Sequence, residues 1–344
     1  MMTAAQNGAS DLHLSPANYP TLRIDGRLVP LLNLEILNKE SLEAIILALL
    51  NDQHKARFLS EKEIDFSIEV SDNRFRINVY QTRGGYAATL RLIPNEIKTL
   101  EDLRLPPILR IFTKLSQGFV LVVGPNGHGK STTLASMIDI INRERGEKII
   151  TVEDPIEYIF TPDKSIIDQR EIYQDTLSFN KALRSAFREN VNVLMIGEMR
   201  DYETMSAAVT AAETGHLVFA SLHTNSASQT IERIIDSFPP AQQSQIRNQL
   251  ANTISGVISQ RLIPRVRGGL VPAVEVMIAT AAVRTLIRDN RPRQIDLVIE
   301  TGQDAGMISM NKSLANLVRA QEITLERAEF YSTEPKGLRD YNGI

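Results

Sequence analysis

The chain has 344 residues, and at about 150 residues per domain this length predicts two domains. It carries 38 Lys and Arg against 41 Asp and Glu, which gives a net charge of −3, and it contains no cysteine. The missing cysteine excludes disulfides and a Cys-based zinc site. The balanced charge argues against nucleic-acid binding, which usually requires a basic excess.

Neither a secretory signal nor a membrane-spanning segment is visible in the sequence. Residues 1–10 lack the basic and apolar regions of a signal peptide. The longest apolar runs, residues 44–50 and 119–123, are far shorter than the roughly 20 residues that cross a bilayer. We therefore expect a cytoplasmic protein.

The N-terminal part of the chain has the pattern of a small mixed α and β domain. The dipeptide Asp25-Gly26 lies between two short apolar runs and predicts a hairpin, because both residues tolerate the positive φ of a tight turn. Apolar residues at helical spacing predict a helix over residues 40–59. Later runs alternate apolar and polar residues, which is typical of half-buried antiparallel strands. These runs are residues 65–70, 74–80 and 86–93.

A charged stretch with prolines at residues 94–107 separates this part from a different pattern, and it predicts a linker that acts as a hinge. Beyond it, short apolar runs rich in branched residues alternate with helical patterns, which is typical of a parallel sheet covered on both faces. The runs are residues 119–123, 148–152, 191–196 and 217–222. Strand signals fade after Leu222, and the rest of the chain is predicted to be helical at residues 229–237, 241–262, 281–287 and 311–320.

The strongest motif is a glycine-rich loop between the apolar run 119–123 and an amphipathic run at residues 134–141. It has the pattern of a phosphate-binding loop in the strand-loop-helix context that this pattern requires. Its glycines allow backbone N–H groups and a helix N-terminus to converge on a phosphate. The candidate phosphate-binding residues are Gly124, Pro125, Asn126, Gly127, His128, Gly129, Lys130, Ser131 and Thr132.

Within this loop, Lys130 is predicted to reach the β and γ phosphate oxygens, and the Ser131 hydroxyl to ligate Mg²⁺. His128 stands at a variable position of the pattern, and we expect an exposed side chain whose residue contributes its backbone N–H. The alternative for the whole motif is a glycine-rich turn without a ligand.

Acidic residues follow two strands of the predicted sheet, at residues 153–157 and 198–201. Nucleotide hydrolysis needs an oxygen ligand for Mg²⁺ and a carboxylate that positions water, and the carboxyl ends of parallel strands supply such groups. The alternative is that these acids solvate strand ends or cap helices. Two histidines flank the last predicted strand, and His223 lies at the end that faces the phosphates, where it could sense the γ-phosphate. His216, at the other end, has both a structural and a functional interpretation.

These motifs together resemble the PilT-type ATPases of type IV pilus retraction, within the secretion-ATPase superfamily. The resemblance rests on residues 8–14 at the start, the phosphate loop, the acidic boxes at residues 153–157 and 196–201, and the histidine box at residues 212–224. The motifs occur in the order of the family and cover most of the chain.

The resemblance implies an α/β fold with a PAS-like N-terminal α+β domain at residues 1–95, a linker at 96–107 and a RecA-like ATPase domain at 108–344. C-terminal helices are expected to form a subdomain from about residue 225. The family also implies a homo-hexameric ring, with ATP between the two domains at a subunit boundary. ATP and Mg²⁺ are the expected cofactors.

Several roles are implied by matching residues of the family. Glu157 matches the glutamate proposed to activate water, and Glu198 matches the acid that organises Mg²⁺ through water. Arg83 and Arg91 match arginines of the N-terminal domain that reach the γ-phosphate on closure, a role that suits the planar guanidinium. Arg188 and Arg233 match arginines near the inter-subunit site. A solvated or salt-bridged surface position is the alternative for each arginine.

Two features favour the retraction branch of the superfamily. Assembly and secretion members commonly carry a tetracysteine zinc insert, which a chain without cysteine cannot form. Residues 282–288 resemble the retraction motif, represented here by Arg284, Leu286, Ile287 and Arg288, although Thr285 replaces its usual asparagine.

The resemblance implies an inner-membrane pilus platform protein as partner, a location at the inner face of the cytoplasmic membrane at the pilus base, and a paralogous accessory ATPase as a further possible partner. The alternatives are a pilus-extension or type II secretion ATPase, a PilU-like accessory retraction ATPase, a RecA-like nucleic-acid motor and a scaffold that binds nucleotide without hydrolysis. The charge balance argues against the nucleic-acid motor.

Overall fold

The computed structural model describes residues 1–24, 26–71, 73–93 and 96–340. The chain divides into two compact units, the first made of Met1–Glu96 with Pro155–Ile159 and the second of Ile97–Asp154 with Phe160–Ile344. The short segment Pro155–Ile159 therefore belongs with the N-terminal unit although it lies far along the chain. The predicted linker begins next to Pro94 and Asn95, which lie outside the described residues.

The first unit is an antiparallel sheet with helices. Its helices are α1 (Met2–Gln6), α2 (Lys39–Leu49) and α3 (Asp52–Glu61). Its strands are β1 (Asp11–Leu14), β2 (Thr21–Ile24), β3 (Arg27–Pro30), β4 (Glu63–Val70), β5 (Asn73–Thr82) and β6 (Gly85–Ile93). They pair in the order β3-β2-β1-β6-β5-β4.

The alternating strands were predicted correctly, and β5 shows why. Phe75, Ile77 and Val79 are fully buried, whereas the intervening polar residues point to the other face. The hairpin between β2 and β3 is also present, with Ile24 opposite Arg27, although Asp25 itself lies outside the described residues.

The continuous helix predicted over residues 40–59 is wrong, because the chain breaks between α2 and α3. Leu50 is extended, and the side chain of Asn51 accepts a hydrogen bond from the backbone N–H of His54 and so starts a new helix. Asn38 caps α2 in the same way, through the backbone N–H of Ser41. Asparagine competes well for the backbone N–H groups at helix starts, and it overrides the apolar spacing here.

The second unit is built on a mostly parallel sheet. Its strands are β7 (Gly118–Val123), β8 (Lys148–Glu153), β9 (Ile166–Glu171), β10 (Val193–Ile196), β11 (Leu217–Leu222), β12 (Ile254–Pro264) and β13 (Leu270–Ile278). They pair in the order β13-β12-β7-β11-β10-β8-β9, and the pairing is parallel except between β12 and β13.

The helices of this unit lie between and after the strands. They are α4 (Arg110–Thr113), α5 (Lys130–Glu144), α6 (Phe179–Ala186), α7 (Tyr202–Glu213), α8 (Ala227–Asp236), α9 (Pro240–Thr253), α10 (Ala281–Arg288), α11 (Ile295–Thr301), α12 (Met310–Arg319), α13 (Leu325–Tyr331) and α14 (Pro335–Asp340). Short 3₁₀ turns occur at Pro107–Leu109, Pro292–Gln294 and Gln303–Ala305.

The predicted parallel strands are confirmed as β7, β8, β10 and β11, and every residue of β7, β10 and β11 is buried. Such strands read as continuous apolar runs because helices cover both faces of the sheet. The register places Leu222 beside Val123, and Ile196 beside Val152. The carboxyl ends of neighbouring strands therefore meet at the same edge of the sheet.

The helix predicted over residues 241–262 is wrong beyond Thr253, where β12 begins, and β13 was not predicted at all. Ile254, Val257 and Ile258 are fully buried at spacings of three and four, which imitates the apolar face of a helix. Their burial has a different cause, because β12 pairs with β7 on one side and with β13 on the other. The chain after Leu222 is therefore not purely helical.

None of the helices within the described ranges is long and apolar enough to cross a membrane.

Gly256 of β12 allows the aromatic ring of Phe112 to pack directly on the sheet. A Cβ at this position would lie 2.2 Å from the Phe112 ring and 3.0 Å from the carbonyl of Met277. We expect Gly256→Ala to lower the free energy of unfolding by about 1–3 kcal/mol, because a filled core cannot accommodate an added methyl group without strain. The measurement is urea denaturation followed by circular dichroism, since the chain has no Trp.

Gly146→Ala is the matched control for this substitution. Gly146 is exposed, and the nearest atom to a Cβ there is the carbonyl oxygen of Lys164, at 3.8 Å. Equal unfolding free energies for the two variants would contradict the tight packing at Gly256.

Candidate active site

The glycine-rich loop lies between β7 and α5, as the sequence predicts. Gly124 has a φ of 148°, and a Cβ there would come within 2.3 Å of the carbonyl oxygen of Gln260, so only glycine fits. Gly129 has a φ of 80° and precedes α5 without a side-chain cap, as far as the described residues show. The loop therefore leads directly into a helix N-terminus, which is a favourable position for an anion such as phosphate.

Lys130, the first residue of α5, is buried with its ammonium group held inside the loop. Its Nζ donates to the carbonyl oxygens of Gly124 and Pro125, at 2.9 and 3.0 Å. These bonds place the positive charge at the mouth of the loop, where phosphate oxygens of a nucleotide would replace or share the carbonyl partners.

A chain of polar contacts leads from this lysine along the carboxyl edge of the sheet. Lys130 Nζ lies 3.1 Å from His223 Nδ1, and His223 Nε2 lies 2.7 Å from Glu198 Oε1. Glu198 also contacts Arg200 at 3.0 Å, and Arg200 lies 3.7 Å from Asp154. The phosphate loop, His223, Glu198 and the end of β8 thus form a connected group.

The contacts of His223 define which of its nitrogens carries the proton. Nδ1 accepts from the ammonium of Lys130, so Nε2–H is the donor to Glu198. Burial works to raise the pKa of the Glu198 carboxyl, but the hydrogen bond and charge of Arg200, followed by His223, outweigh it and hold this pKa below its usual range. Glu198 is therefore a carboxylate at neutral pH.

The acidic residues predicted at the strand ends have different surroundings. Glu153 is buried at the end of β8 and accepts a hydrogen bond from the Thr151 hydroxyl at 2.8 Å. Asp201 caps α7 by accepting from the backbone N–H of Thr204, also at 2.8 Å. The capping interpretation is thus correct for Asp201, while Glu198 belongs to the polar group described above.

Glu157 lies in the segment that belongs with the first unit, and an arginine of that unit contacts it. Arg76 Nη1 donates to Glu157 Oε1 at 3.5 Å, and Arg74 Nε donates to the carbonyl of Ile156 at 3.3 Å. The sequence singled out neither arginine, because on β5 both alternate with apolar residues as ordinary solvated side chains do. The two arginines are distinguished only by their contacts with residues 155–159, which belong to the first unit.

Arg91 of β6 is paired with a buried carboxylate. Its Nε donates to Asp11 Oδ1 at 2.8 Å, and Asp11 also accepts from the hydroxyl of Ser10. Arg91 lies opposite Asp11 on one side and opposite Arg76 on the other in the register of the sheet. Arg83, by contrast, lies exposed in the turn between β5 and β6.

His128 is not the exposed loop residue that we expected. Its side chain is half-buried, and its Nδ1 accepts a hydrogen bond from the backbone N–H of Leu262 at 2.9 Å. The prediction failed because β12, which carries the donor, was interpreted as part of a helix.

The remaining candidates lie on the surface or in the framework of the second unit. Arg188 follows α6 and Arg233 lies on α8, and both are exposed. His216 has a structural contact, since its Nδ1 lies 2.9 Å from the carbonyl oxygen of Ala211 in α7. It therefore ties the start of β11 to the preceding helix.

The residues of the predicted retraction motif have unequal surroundings on α10. Arg284 donates through Nη1 to the carbonyls of Ala251 and Asn252, at 2.6 and 2.8 Å, and so caps the end of α9. Ile287 is fully buried and Leu286 packs against the same core, whereas Arg288 is exposed. Arg284 and Ile287 thus stabilise the fold, whereas the side chain of Arg288 is exposed to solvent.

The oxygen donors predicted for Mg²⁺ are the hydroxyl of Ser131, in the first turn of α5, and the carboxylate of Glu198, which contacts Arg200 and His223. Across the described part of the chain, no group of three or more His, Asp or Glu side chains could hold a metal by itself. This donor set fits an ion that is held by one or two side chains together with substrate phosphates and water.

Residues 1–324 match the family described as type II/IV secretion system protein. The chain is 43% identical over 336 residues to the type IV pilus retraction ATPase PilT of Pseudomonas aeruginosa, and the match covers 97% of both chains. It superposes with a TM-score of 0.91 on a crystal structure of the pilus retraction motor PilT with bound ADP, which is 44% identical and covered to 97%. It is 36% identical to the type IV pilus ATPase PilU of Pseudomonas aeruginosa, over 97% of this chain and 88% of PilU.

His223→Ala should lower ATP turnover roughly 10- to 100-fold, because it removes hydrogen bonds to the charged groups of Lys130 and Glu198. His216→Ala is the matched control on the other end of β11, and it should lower the melting temperature while turnover stays near that of the parent. Phosphate release at saturating ATP gives the turnover of both variants. An equal loss of turnover in both would contradict the role given to His223.

Proposed function

This chain is an ATPase that belongs to the family of type II/IV secretion system proteins, and we propose that it powers the retraction of type IV pili. The proposal depends above all on the connected group of Lys130, His223 and Glu198 at the phosphate loop, in a chain that matches a retraction ATPase over nearly its whole length. Retraction removes pilins from the filament base and so drives twitching motility.

In this proposal the residues of the second unit bind the nucleotide phosphates. The loop N–H groups and Lys130 hold the β and γ phosphates, and His223 couples the lysine to Glu198. Mg²⁺, when bound, neutralises charge on the phosphates and would be held by Ser131 and, through water, by Glu198. Glu198 suits this task because it remains ionised at neutral pH.

The residues of the first unit supply the base and the counter-charge. Glu157 takes the proton of the attacking water, and Arg76 fixes the orientation of that carboxylate. The guanidinium of Arg91 stabilises charge on the phosphoryl group, as planar donors do. Arg91 must exchange its contact with Asp11 for a phosphate oxygen to do so.

The mechanical part of the proposal follows from the family. The subunits form a homo-hexameric ring, and Arg188 and Arg233, which are exposed, face the neighbouring subunit. The ring acts on an inner-membrane platform protein from the cytoplasmic side, alone or together with a paralogous ATPase. Arg288 of the retraction motif is exposed and is available for such contacts.

The nearest alternative is a PilU-like accessory ATPase, and the lower identity to PilU argues against it. A pilus-extension or type II secretion ATPase is the next, and a chain without cysteine cannot form the tetracysteine insert that such ATPases commonly carry. A deletion strain separates these functions, because loss of retraction leaves cells hyperpiliated and non-twitching, whereas loss of assembly leaves them bald.

Glu157→Gln should abolish ATP hydrolysis and preserve nucleotide binding, because an amide keeps the shape of the side chain but cannot accept the proton of water. Phosphate release and titration with a fluorescent ATP analogue measure the two properties. Lys130→Ala is the control that should lose binding as well. Undiminished turnover of Glu157→Gln would contradict the role of Glu157, and normal binding by Lys130→Ala would contradict the nucleotide site.

A pair of arginine variants tests which arginine of the first unit works with Glu157. Arg76→Ala should lower turnover at least about 10-fold, since it removes a charge-assisted contact to Glu157. Arg83→Ala should cause a smaller loss, because Arg83 lies exposed in a turn. The kcat of both variants is measured at saturating ATP. A larger loss for Arg83→Ala would favour the assignment made from the sequence.

A further inference from the structure

Strand β12 continues past the end of its neighbour β7 and runs alongside the phosphate loop. The pairing of the two strands ends with Ser259 opposite Val123, and residues 260–264 extend beyond it. Beyond Ser259 strand β12 no longer pairs with β7. In this extension the backbone N–H of Leu262 donates instead to His128 Nδ1, at 2.9 Å. A side chain of the loop thus completes the hydrogen bonding of the strand.

Gln260 fixes the same loop from a second direction. Its side chain is almost fully buried, and its Nε2 donates to the carbonyl of His128 at 2.8 Å while its Oε1 accepts from the Thr133 hydroxyl at 2.7 Å. A Cβ at Gly129 would lie 2.8 Å from Gln260 Nε2, so the loop and the strand are in direct contact. The loop is therefore held against β12 at His128 and at Gly129.

We infer that His128 is a positioning residue of the phosphate loop, and that its Nδ1 acceptor fixes the loop on β12 in the shape that binds nucleotide. This inference rests on the proposed nucleotide site.

The hydrogen bond from Leu262 to His128 requires a neutral imidazole, because Nδ1 can accept only when it carries no proton. Burial lowers the pKa of His128, and the positive charges of Arg261 on β12 and Lys130 on α5 lower it further. His128 is therefore neutral at pH 7 and above. It becomes protonated as the pH falls through its lowered pKa, and the bond to Leu262 is then lost.

Two substitutions at His128 separate the effect of the hydrogen-bond acceptor from the effect of imidazole protonation. Asparagine places Oδ1 near the position of Nδ1 and does not titrate, whereas alanine removes the acceptor. At pH 8, His128→Ala should raise the KM for ATP and the dissociation constant of a fluorescent ATP analogue roughly 3- to 10-fold, the effect of one hydrogen bond. His128→Asn should restore both values, and kcat should change less than KM in each case.

The pH profile gives a second readout that a purely structural role would not change. The dissociation constant of the parent divided by that of His128→Asn should be close to one at pH 8. This ratio should rise toward pH 5.5. The ratio of the dissociation constant of His128→Ala to that of His128→Asn should be the same at every pH. Titration of ATP itself cancels in these ratios, because every variant binds the same ligand.

Other outcomes would overturn the inference. Equal affinity of His128→Ala and the parent at pH 8, failure of asparagine to restore binding, or a flat ratio between parent and His128→Asn would each do so. The nucleotide site itself is judged by Lys130→Ala, which should fail to bind. Loss of binding in Lys130→Ala together with normal binding in His128→Ala would leave the proposed function intact and refute the inference.

Discussion

The parallel pairing of β8, β10, β11 and β7 is the constraint on which the rest of the second unit depends, because it ends these strands at a common edge of the sheet. The residues that follow these strands therefore lie close together at that edge. The phosphate loop follows β7, Glu198 follows β10 and His223 follows β11. The polar group at the loop is thus a direct result of strand order.

The groups around the phosphate loop and the groups of the first unit that are proposed to act in catalysis differ in their burial. The side chains that hold the phosphate loop, Gln260 and Thr133, are almost completely buried, and small shifts there would disturb the close contacts of the loop glycines. In the first unit, Glu157 and Arg91 are themselves partly exposed to solvent within their ion pairs. The buried side chains around the loop therefore contrast with the partly exposed ion pairs of the residues proposed for catalysis.

Most of the central sheet and the phosphate loop could be predicted from the sequence, because continuous apolar runs are typical of strands covered on both faces and the glycine-rich pattern is typical of a phosphate loop. Strand β12 could not, since Ile254, Val257 and Ile258 have the spacing of a helix and the pairing that buries them is non-local. The surroundings of His128 were missed for the same reason. Arg76 was missed because its contact with Glu157 joins residues 81 positions apart in sequence.

The ion pair between Arg91 and Asp11 has an energetic consequence for a motor that works in cycles. Asp11 is buried, and a guanidinium that leaves it for a phosphate oxygen gives up a charge-assisted hydrogen bond, while Arg23, 3.9 Å from the same carboxylate, stays beside it. In the proposed mechanism Arg91 therefore breaks one ion pair before it forms another. The free energy that Arg91 would gain by binding phosphate is thus reduced by the ion pair that it must first give up.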